Sequence, residues 1–162
     1  MSFTLEIAAF TLEGALIAQK AGADRIELCD NPGEGGTTPS FGMLKTARKR
    51  LQVQLYPMIR PRGGNFVYTD DEFEMMKIDL QLCKAIKCDG VVIGMLNADG
   101  TVDKERCAEL VELAGATNLF GQAGKHSPWM TWEELIEKEP DVILVTPCGF
   151  DNKRTLEEMH LI

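Results

Sequence analysis

Short apolar runs alternate along the chain with longer amphipathic stretches, a pattern typical of strand and helix units repeated around a parallel sheet. The short runs predict five strands, at Phe3–Ala8, Arg25–Cys29, Val53–Ile59, Gly90–Met95 and Val142–Thr146. The amphipathic stretches predict helices at Thr11–Ala21, Phe41–Arg50, Asp70–Ile86, Asp103–Leu113, Thr131–Glu137 and Lys153–His160. Ser40, Thr69 and Thr131 supply start signals for three of these helices. We therefore expect a single α/β domain over residues 1–162.

The loops that follow the predicted strands are long and contain glycine, whereas the loops that return from helix to strand are short. The long loops are Asp30–Pro39 after the second strand and Arg60–Tyr68 after the third. In parallel α/β folds, ligand sites are built on the loops beyond the carboxyl ends of the strands. The asymmetry predicts that functional residues lie at this edge of the sheet, which we call the rim.

The net charge of -8 narrows the range of partners. The field of the whole molecule would repel nucleic-acid backbones and anionic membranes, so neither is expected to bind. No apolar run approaches the roughly 20 residues that a membrane helix needs. The start MSFTLEIAAF also lacks the basic region and cleavage site of a signal peptide. These features predict a cytoplasmic location.

The five cysteines are widely spread and include no CxxC pair, so the sequence predicts neither a disulfide scaffold nor a zinc knuckle. Cys83, Cys88 and Cys107 fall in or beside helical patterns and are expected to be small buried apolar residues. Cys29 ends the second predicted strand and Cys148 follows the fifth. Both are therefore expected at the rim.

Charged residues and glycines also gather at the predicted rim. Glu27 and Cys29 alternate along one strand, so their side chains share a face. Arg60 and Arg62 are separated by a proline, which fixes the backbone and sets the two guanidinium groups apart. Glycines that would let backbone N–H groups approach a ligand are Gly35, Gly36, Gly63 and Gly64. A small anion, phosphate or carboxylate, is a candidate ligand of this pocket.

Several motifs occur in order along the first two thirds of the chain. They are LEI at 5–7, GADRIELC at 22–29, EGGTTPS at 34–40, MIRPRGGNFVY at 58–68 and DGVVIGML at 89–96. Through them, residues 3–113 closely resemble the CutC family, whose members are (β/α)₈ barrels associated with copper handling. The resemblance implies a copper site, and copper(I) favours thiolate ligands, here Cys29 and Cys148. Family members often carry cysteines near the end of the first strand, where this chain has Ala8 and Ala9.

Three interpretations of the rim remain open from the residues. Arg60 and Glu27 form an interior ion pair that sets strand register, or the two arginines bind an anion, or Cys29 takes part in a copper(I) site. An enzyme is the least favoured reading. No His and Asp partners lie at a convincing spacing from Ser127, so no catalytic residue is predicted.

Residues 115–159 resemble a different family, the carboxyl-terminal lobe of periplasmic cobalamin- and iron-siderophore-type binding proteins. The motifs are Asn-Leu-Phe at 118–120, Pro-Trp at 128–129, Glu-Glu-Leu at 133–135 and Pro-Asp-Val-Ile at 140–143. A His-Arg-aromatic-Asp motif, which CutC proteins carry on their fifth strand, does not follow Leu113. The two resemblances meet inside one predicted helix, which indicates an engineered chimera of recombined fragments without evolved activity.

The second resemblance also influences the expected fold, because such binding-protein lobes are flavodoxin-like. It favours a five-stranded parallel sheet in a three-layer αβα arrangement. The alternative is an open half TIM barrel, with two unpaired sheet edges that close by oligomerisation of the chain.

Overall fold

The computed structural model describes residues 4–117 and 131–139, and the chain divides into two units, Met1–Ser127 and Pro128–Ile162. In the first unit the strands are β1 (Glu6–Ala9), β2 (Arg25–Leu28) and β3 (Gln54–Pro57). Its α-helices are α1 (Leu12–Lys20), α2 (Phe41–Arg50), α3 (Asp70–Ala85) and α4 (Lys104–Ala114), with a 3₁₀ helix at Pro32–Glu34. In the second unit, the described helix is α5 (Trp132–Lys138). No helix in the described part of the chain has the length and apolar character needed to cross a membrane.

Each described α-helix begins at a side-chain oxygen that accepts a hydrogen bond from a backbone N–H of the first turn. These N-cap residues are Thr11, Ser40, Thr69, Asp103 and Thr131. Thr69 and Thr131 each form a full capping box, with Glu72 and Glu134 reaching back to the cap N–H. The start signals predicted at Ser40, Thr69 and Thr131 are confirmed.

The three strands are parallel and lie side by side in chain order, β1-β2-β3. Their register aligns Ala8 with Glu27, and Glu27 with Tyr56. A flavodoxin-like sheet would instead place the first strand between the second and third. The flavodoxin-like prediction is therefore wrong for the described strands, and their sequential order is that of a barrel wall.

The described residues contain three strands rather than the predicted five. The predicted strand Gly90–Met95 forms a single parallel bridge, between Val92 and Met58. Hydrogen bonds of 2.9 Å and 2.8 Å join Val92 to the backbone of Pro57 and Ile59, and the Asp89 N–H donates to the Leu55 carbonyl at 3.1 Å, but no strand ladder forms. Glycines at positions 90 and 94 weaken a strand interior, which explains the short pairing. The predicted strand Val142–Thr146 and helix Lys153–His160 lie outside the described residues.

One face of the sheet packs on the helices and forms the core of the first unit. Ile26, Leu28 and Leu55 are fully buried on this face. They join buried helix residues that include Leu44, Ala47, Met76, Leu80 and Leu110. The opposite face, which we call the inner face, carries Arg25, Glu27 and Cys29, because side chains alternate along a strand.

A polar row crosses the inner face near the start of the strands. Arg25 donates to Glu6 at 2.9 Å on β1 and to Gln54 at 3.0 Å on β3, and its guanidinium lies 4.1 Å from the centre of the Tyr56 ring. A side chain at Gly90 would overlap that ring. This row ties the three strands together on the face that leads to the rim.

Candidate functional site at the strand ends

Two loops beyond β2 and β3 form the rim. Loop A, residues 30–39, folds back on itself because Asp30 and Thr37 exchange backbone hydrogen bonds of 3.0 Å and 2.9 Å. Loop B, residues 60–68, lies against it. The Thr38 N–H donates to the Arg60 carbonyl at 2.9 Å, and the Arg60 N–H donates to Thr38 Oγ1 at 2.8 Å. The rim is therefore one surface built from both loops.

Cys29 and Glu27 interact across their shared face of β2. Cys29 is 2% exposed, and burial together with the charge and hydrogen bonding of Glu27 raises the pKa of its thiol to about 11. Burial, and then the like charge of Glu6, raise the pKa of the Glu27 carboxyl, while the hydrogen bond with Cys29 acts in the opposite direction. At neutral pH Cys29 is a protonated thiol that donates a hydrogen bond to Glu27.

Met58 brings a second sulfur atom to the rim, and it was not predicted from the sequence. The register that aligns Leu28 with Pro57 places Cys29 level with Met58, one residue further on. A Cβ built on Gly36 would lie 3.3 Å from Cys29 Sγ and 3.8 Å from Met58 Cε. The two side chains therefore converge beneath loop A at Gly36.

The guanidinium group of Arg60 is held by backbone carbonyls of both loops. Its Nη1 donates to the carbonyls of Glu34 at 2.6 Å and Gly36 at 2.8 Å, and its Nη2 donates to the Gly64 carbonyl at 2.8 Å. The Phe66 ring covers it, 4.5 Å from the ring centre. Arg60 is only 5% exposed, so this buried cation fastens loop A to loop B.

The interior ion pair considered for Arg60 and Glu27 is not formed among the described residues. Arg60 points instead into the loops, where three carbonyls converge, and Glu27 interacts with Cys29. Strand register at this level is set by the backbone ladder and by the Arg25 row.

The rim glycines provide space and turning geometry for Glu34. The Glu34 carboxylate accepts a hydrogen bond of 2.9 Å from the Gly64 N–H, and a side chain on Gly63 would overlap that carboxylate. Gly35 and Gly64 have φ angles of 76° and 77°, which other residues rarely adopt. The N–H of Gly64, predicted to face a ligand, is thus used within the protein.

Arg62 is engaged with the start of α3. Its Nε donates to Glu72 Oε1 at 2.5 Å, and its Nη2 donates to the Val67 carbonyl at 2.8 Å. Its Nη1 donates to the carbonyls of Gly63 and Asn65, each at 3.0 Å. The hydrogen bond from Arg62 lowers the pKa of Glu72. The structure therefore brings Arg62 to the rim as a structural cation whose donors already have acceptors.

Two buried polar atoms of the rim, Arg60 Nε and Tyr68 Oη, have no hydrogen-bond partner among the described residues. Tyr68 is 7% exposed, and burial raises the pKa of its phenol, while the neighbouring Arg60 guanidinium acts to lower it. The Arg60 guanidinium is itself a hydrogen-bond donor toward the Tyr68 phenol, so these two atoms can either satisfy each other or bind a small polar ligand.

The rim offers two soft donors for a metal, Cys29 and Met58. Residues 4–117 and 131–139 contain no cluster of three or more His, Cys, Asp or Glu side chains able to hold a metal ion. Thiolate and thioether sulfur favour soft metals, copper(I) among them, over magnesium or calcium. The other predicted thiol ligand, Cys148, lies outside the described residues.

A family model described as the CutC family matches residues 3–138 of the chain. A CutC family protein of Chromobacterium violaceum is 52% identical over 115 residues, which are 71% of this chain and 47% of that protein. The human copper homeostasis protein cutC homolog is 39% identical over 163 aligned positions, covering 99% of this chain and 59% of the human protein. The chain thus spans about half the length of these relatives.

A solved structure agrees with these matches. The crystal structure of the putative copper homeostasis protein CutC from Streptococcus agalactiae superposes with a TM-score of 0.66 at 36% identity. The superposition covers 73% of this chain and 58% of that protein. The described α/β fold with its parallel sheet is therefore similar to a CutC structure.

The matches continue past the point where a join between two families was predicted. The family model extends to residue 138, and the alignment with the human relative covers 99% of the chain. These alignments give no support to an engineered chimera or to a periplasmic binding-protein lobe.

Proposed function

Because the chain belongs to the CutC family, we propose that it acts in copper homeostasis by binding copper(I) at the rim, with Cys29 as the principal ligand. The observation that carries the proposal is the convergence of Cys29 Sγ and Met58 Cε beneath Gly36. Copper(I) is one of the soft metals that thiolate and thioether ligands select, and the copper homeostasis role of the family favours it here. The ion is the cargo of this site rather than a resident cofactor.

Binding at Cys29 exchanges a proton for the metal ion. The thiol is protonated at neutral pH because its pKa is about 11, so copper(I) must displace that proton to gain a thiolate. Glu27 is placed to relay this proton to solvent, since its carboxyl already interacts with the thiol and has a raised pKa. Apparent affinity should therefore rise by about tenfold for each pH unit well below the thiol pKa.

Arg60 and Arg62 support the proposed site indirectly. They fix loops A and B above the sulfur atoms through hydrogen bonds to carbonyls and to Glu72. Because these guanidinium N–H groups already have acceptors within the protein, they are not available to bind an anion.

A small anion is the second candidate ligand, favoured by the unpartnered Arg60 Nε and Tyr68 Oη. If it binds there, sulfate should raise Tm more than chloride at equal ionic strength, and Tyr68→Phe should abolish the difference. Equal Tm values in the two salts would remove this candidate and leave the copper proposal untouched.

Competition with a copper(I) chelator under anaerobic conditions tests the copper proposal. The titration is done in a Cys88→Ser background, because Cys88 and Cys83 line one cavity away from the rim and could compete for the metal. Cys29→Ser should abolish rim binding, and Met58→Leu should weaken it by about tenfold, the loss of one soft ligand. Cys107→Ser is the matched control and should leave affinity unchanged.

Unchanged affinity in Cys29→Ser would overturn the proposal. Cys148→Ser separates the two possible second ligands. If Cys148→Ser lowers the copper(I) affinity as much as Cys29→Ser does, and Met58→Leu has no effect, then Cys148 rather than Met58 is the second ligand.

A further inference from the structure

The carboxyl end of α3 brings two cysteines together away from the rim. The helix ends in a Schellman motif, in which the Cys88 N–H donates to the Cys83 carbonyl at 3.0 Å and the Lys87 N–H donates to the Lys84 carbonyl at 3.0 Å. Lys87 takes the left-handed conformation that this motif requires, with φ of 64°. In such a motif the side chains at the positions of Cys83 and Cys88 meet. Their proximity is thus imposed by the backbone.

The two thiols occupy different surroundings. Cys83 has 0% exposure and is part of the core, whereas Cys88 is partly exposed. Both line a cavity of about 60 Å³ together with Lys84, Asp89 and Gly90. A water molecule needs about 10–15 Å³ in this measure, so a molecule as small as hydrogen peroxide fits.

The hydrogen bond from Cys83 is the main interaction that favours the Cys88 thiolate. A hydrogen bond from Cys83 lowers the pKa of Cys88, the positive charge of Arg48 adds to the effect, and burial and Asp89 oppose it. Arg48 is fixed in place by hydrogen bonds of 2.5 Å to Asp89 and 2.8 Å to the Leu51 carbonyl. The hydrogen bond with Cys88, and then burial, raise the pKa of Cys83. Because Cys88 is also the partly exposed thiol and Cys83 is fully buried, Cys88 is the better placed nucleophile of the pair.

We propose that Cys88 and Cys83 form a peroxide-reactive thiol site, in which Cys88 is oxidised first and Cys83 then closes an intramolecular disulfide. Three observations support the assignment: the Schellman geometry, the shared cavity, and the fact that Cys88 is partly exposed whereas Cys83 is buried. The proposal concerns residues outside the copper site and does not depend on it.

The chemistry balances with hydrogen peroxide as the oxidant. The Cys88 thiolate attacks one peroxide oxygen, so that an S–O bond forms, the O–O bond breaks and hydroxide leaves and is protonated to water. The Cys83 sulfur then attacks the Cys88 sulfenic acid. An S–S bond forms, the S–O bond breaks, and the departing hydroxide takes the Cys83 proton as a second water. Two thiols lose two electrons, and a dithiol reductant restores them.

Peptide mapping of the full chain tests the proposal. Reduced protein is treated with stoichiometric hydrogen peroxide, blocked with N-ethylmaleimide and digested with trypsin. Because Lys84 and Lys87 lie between the two cysteines, trypsin separates them, and the disulfide appears as a linked pair of peptides that dithiothreitol releases. Cys88 should lose maleimide reactivity at least about tenfold faster than Cys107, a half-buried cysteine whose thiol pKa is raised by burial.

Variants separate the two roles. Cys83→Ser should trap Cys88 as a sulfenic acid that dimedone labels, whereas Cys88→Ser should leave Cys83 as a free thiol. Cys29→Ser should form the linked peptides as the unmodified chain does. The proposal is overturned if Cys88 reacts no faster than Cys107, if Cys88 in Cys83→Ser gives no dimedone adduct, or if Cys83 pairs with a different cysteine.

Discussion

Arg60 of loop B hydrogen-bonds to loop A, and Glu34 of loop A hydrogen-bonds to loop B. The Arg60 guanidinium donates to the Glu34 carbonyl at 2.6 Å, and the Glu34 carboxylate accepts from the Gly64 N–H of the Arg60 loop at 2.9 Å. The buried Arg60 cation of loop B thus donates to a carbonyl of loop A, while the Glu34 carboxylate of loop A accepts from a backbone N–H of loop B. The position of both loops above the two sulfur atoms depends on this exchange.

Replacing Arg60 by lysine should destabilise the fold by about 2–4 kcal/mol, because an ammonium group cannot reach the carbonyls of Glu34, Gly36 and Gly64 together. Urea denaturation measures the change, and hydrogen exchange at Thr38 should accelerate in parallel. Arg50→Lys is the matched control at an exposed position of α2 and should stay within about 0.5 kcal/mol. A stable Arg60→Lys variant with protected loop amides would contradict the fastening role.

Gly36→Ala should impair both stability and copper(I) binding. The added methyl would be held at a φ of 106° and would lie 3.3 Å from Cys29 Sγ, so the loop must shift above the sulfur atoms. We expect a loss of about 1–3 kcal/mol, the cost of a strained backbone position, and weaker competition with a copper(I) chelator. Gly33→Ala, in the same loop, meets no atom within 4 Å and should affect neither measurement. Equal behaviour of the two variants would be evidence against Gly36 as the cover of the site.

Glu27→Gln should stabilise the protein at neutral pH. The folded state raises the pKa of Glu27, so it retains a proton that the unfolded chain has lost, and stability decreases as pH rises from the unfolded pKa of about 4.3 through the folded one. The variant lacks this loss, and its advantage over the parent should grow with pH in that window and then level off. Denaturation at a series of pH values gives the two curves. Glu112→Gln, at an exposed position of α4, is the control, and its curve of stability against pH should run parallel to that of the parent. A Glu27→Gln curve that is also parallel to the parent curve would be inconsistent with a raised pKa of Glu27.

Leu110→Ala should cost about 2–5 kcal/mol, because Leu110 has 0% exposure and joins α4 to the core beside α3. Hydrogen exchange should show α3 and α4 opening more readily together. Ile78→Ala on α3 is the control, since Ile78 is 63% exposed, and should cost less than about 1 kcal/mol. A small effect of Leu110→Ala would show that α4 contributes little to the core of the first unit.

Local features of the fold were predictable because they depend on residues close together in sequence. The boundaries predicted for α2 are those observed, and the caps at Ser40, Thr69 and Thr131 act as expected. The shared face of Glu27 and Cys29 follows from strand alternation alone. The CutC resemblance was correct, and it extends further along the chain than predicted.

Features that depend on pairing between distant segments were not predictable from local patterns. Met58 meets Cys29 only through the register of β2 with β3. The partners of Arg60 are backbone carbonyls, which leave no mark in the sequence, so an acidic partner was expected instead. Strand order is not given by local patterns, and the flavodoxin-like arrangement was favoured only through a resemblance to another family.

A side chain at position 90 would overlap the Tyr56 ring, and this restricts which substitutions the sequence can accept. Any mutation of Gly90 displaces the ring against which Arg25 stacks, and with it the contacts of Arg25 to Glu6 and Gln54. Position 90 is therefore free to change only after Tyr56 has become smaller, so the two positions should substitute as a pair and in that order.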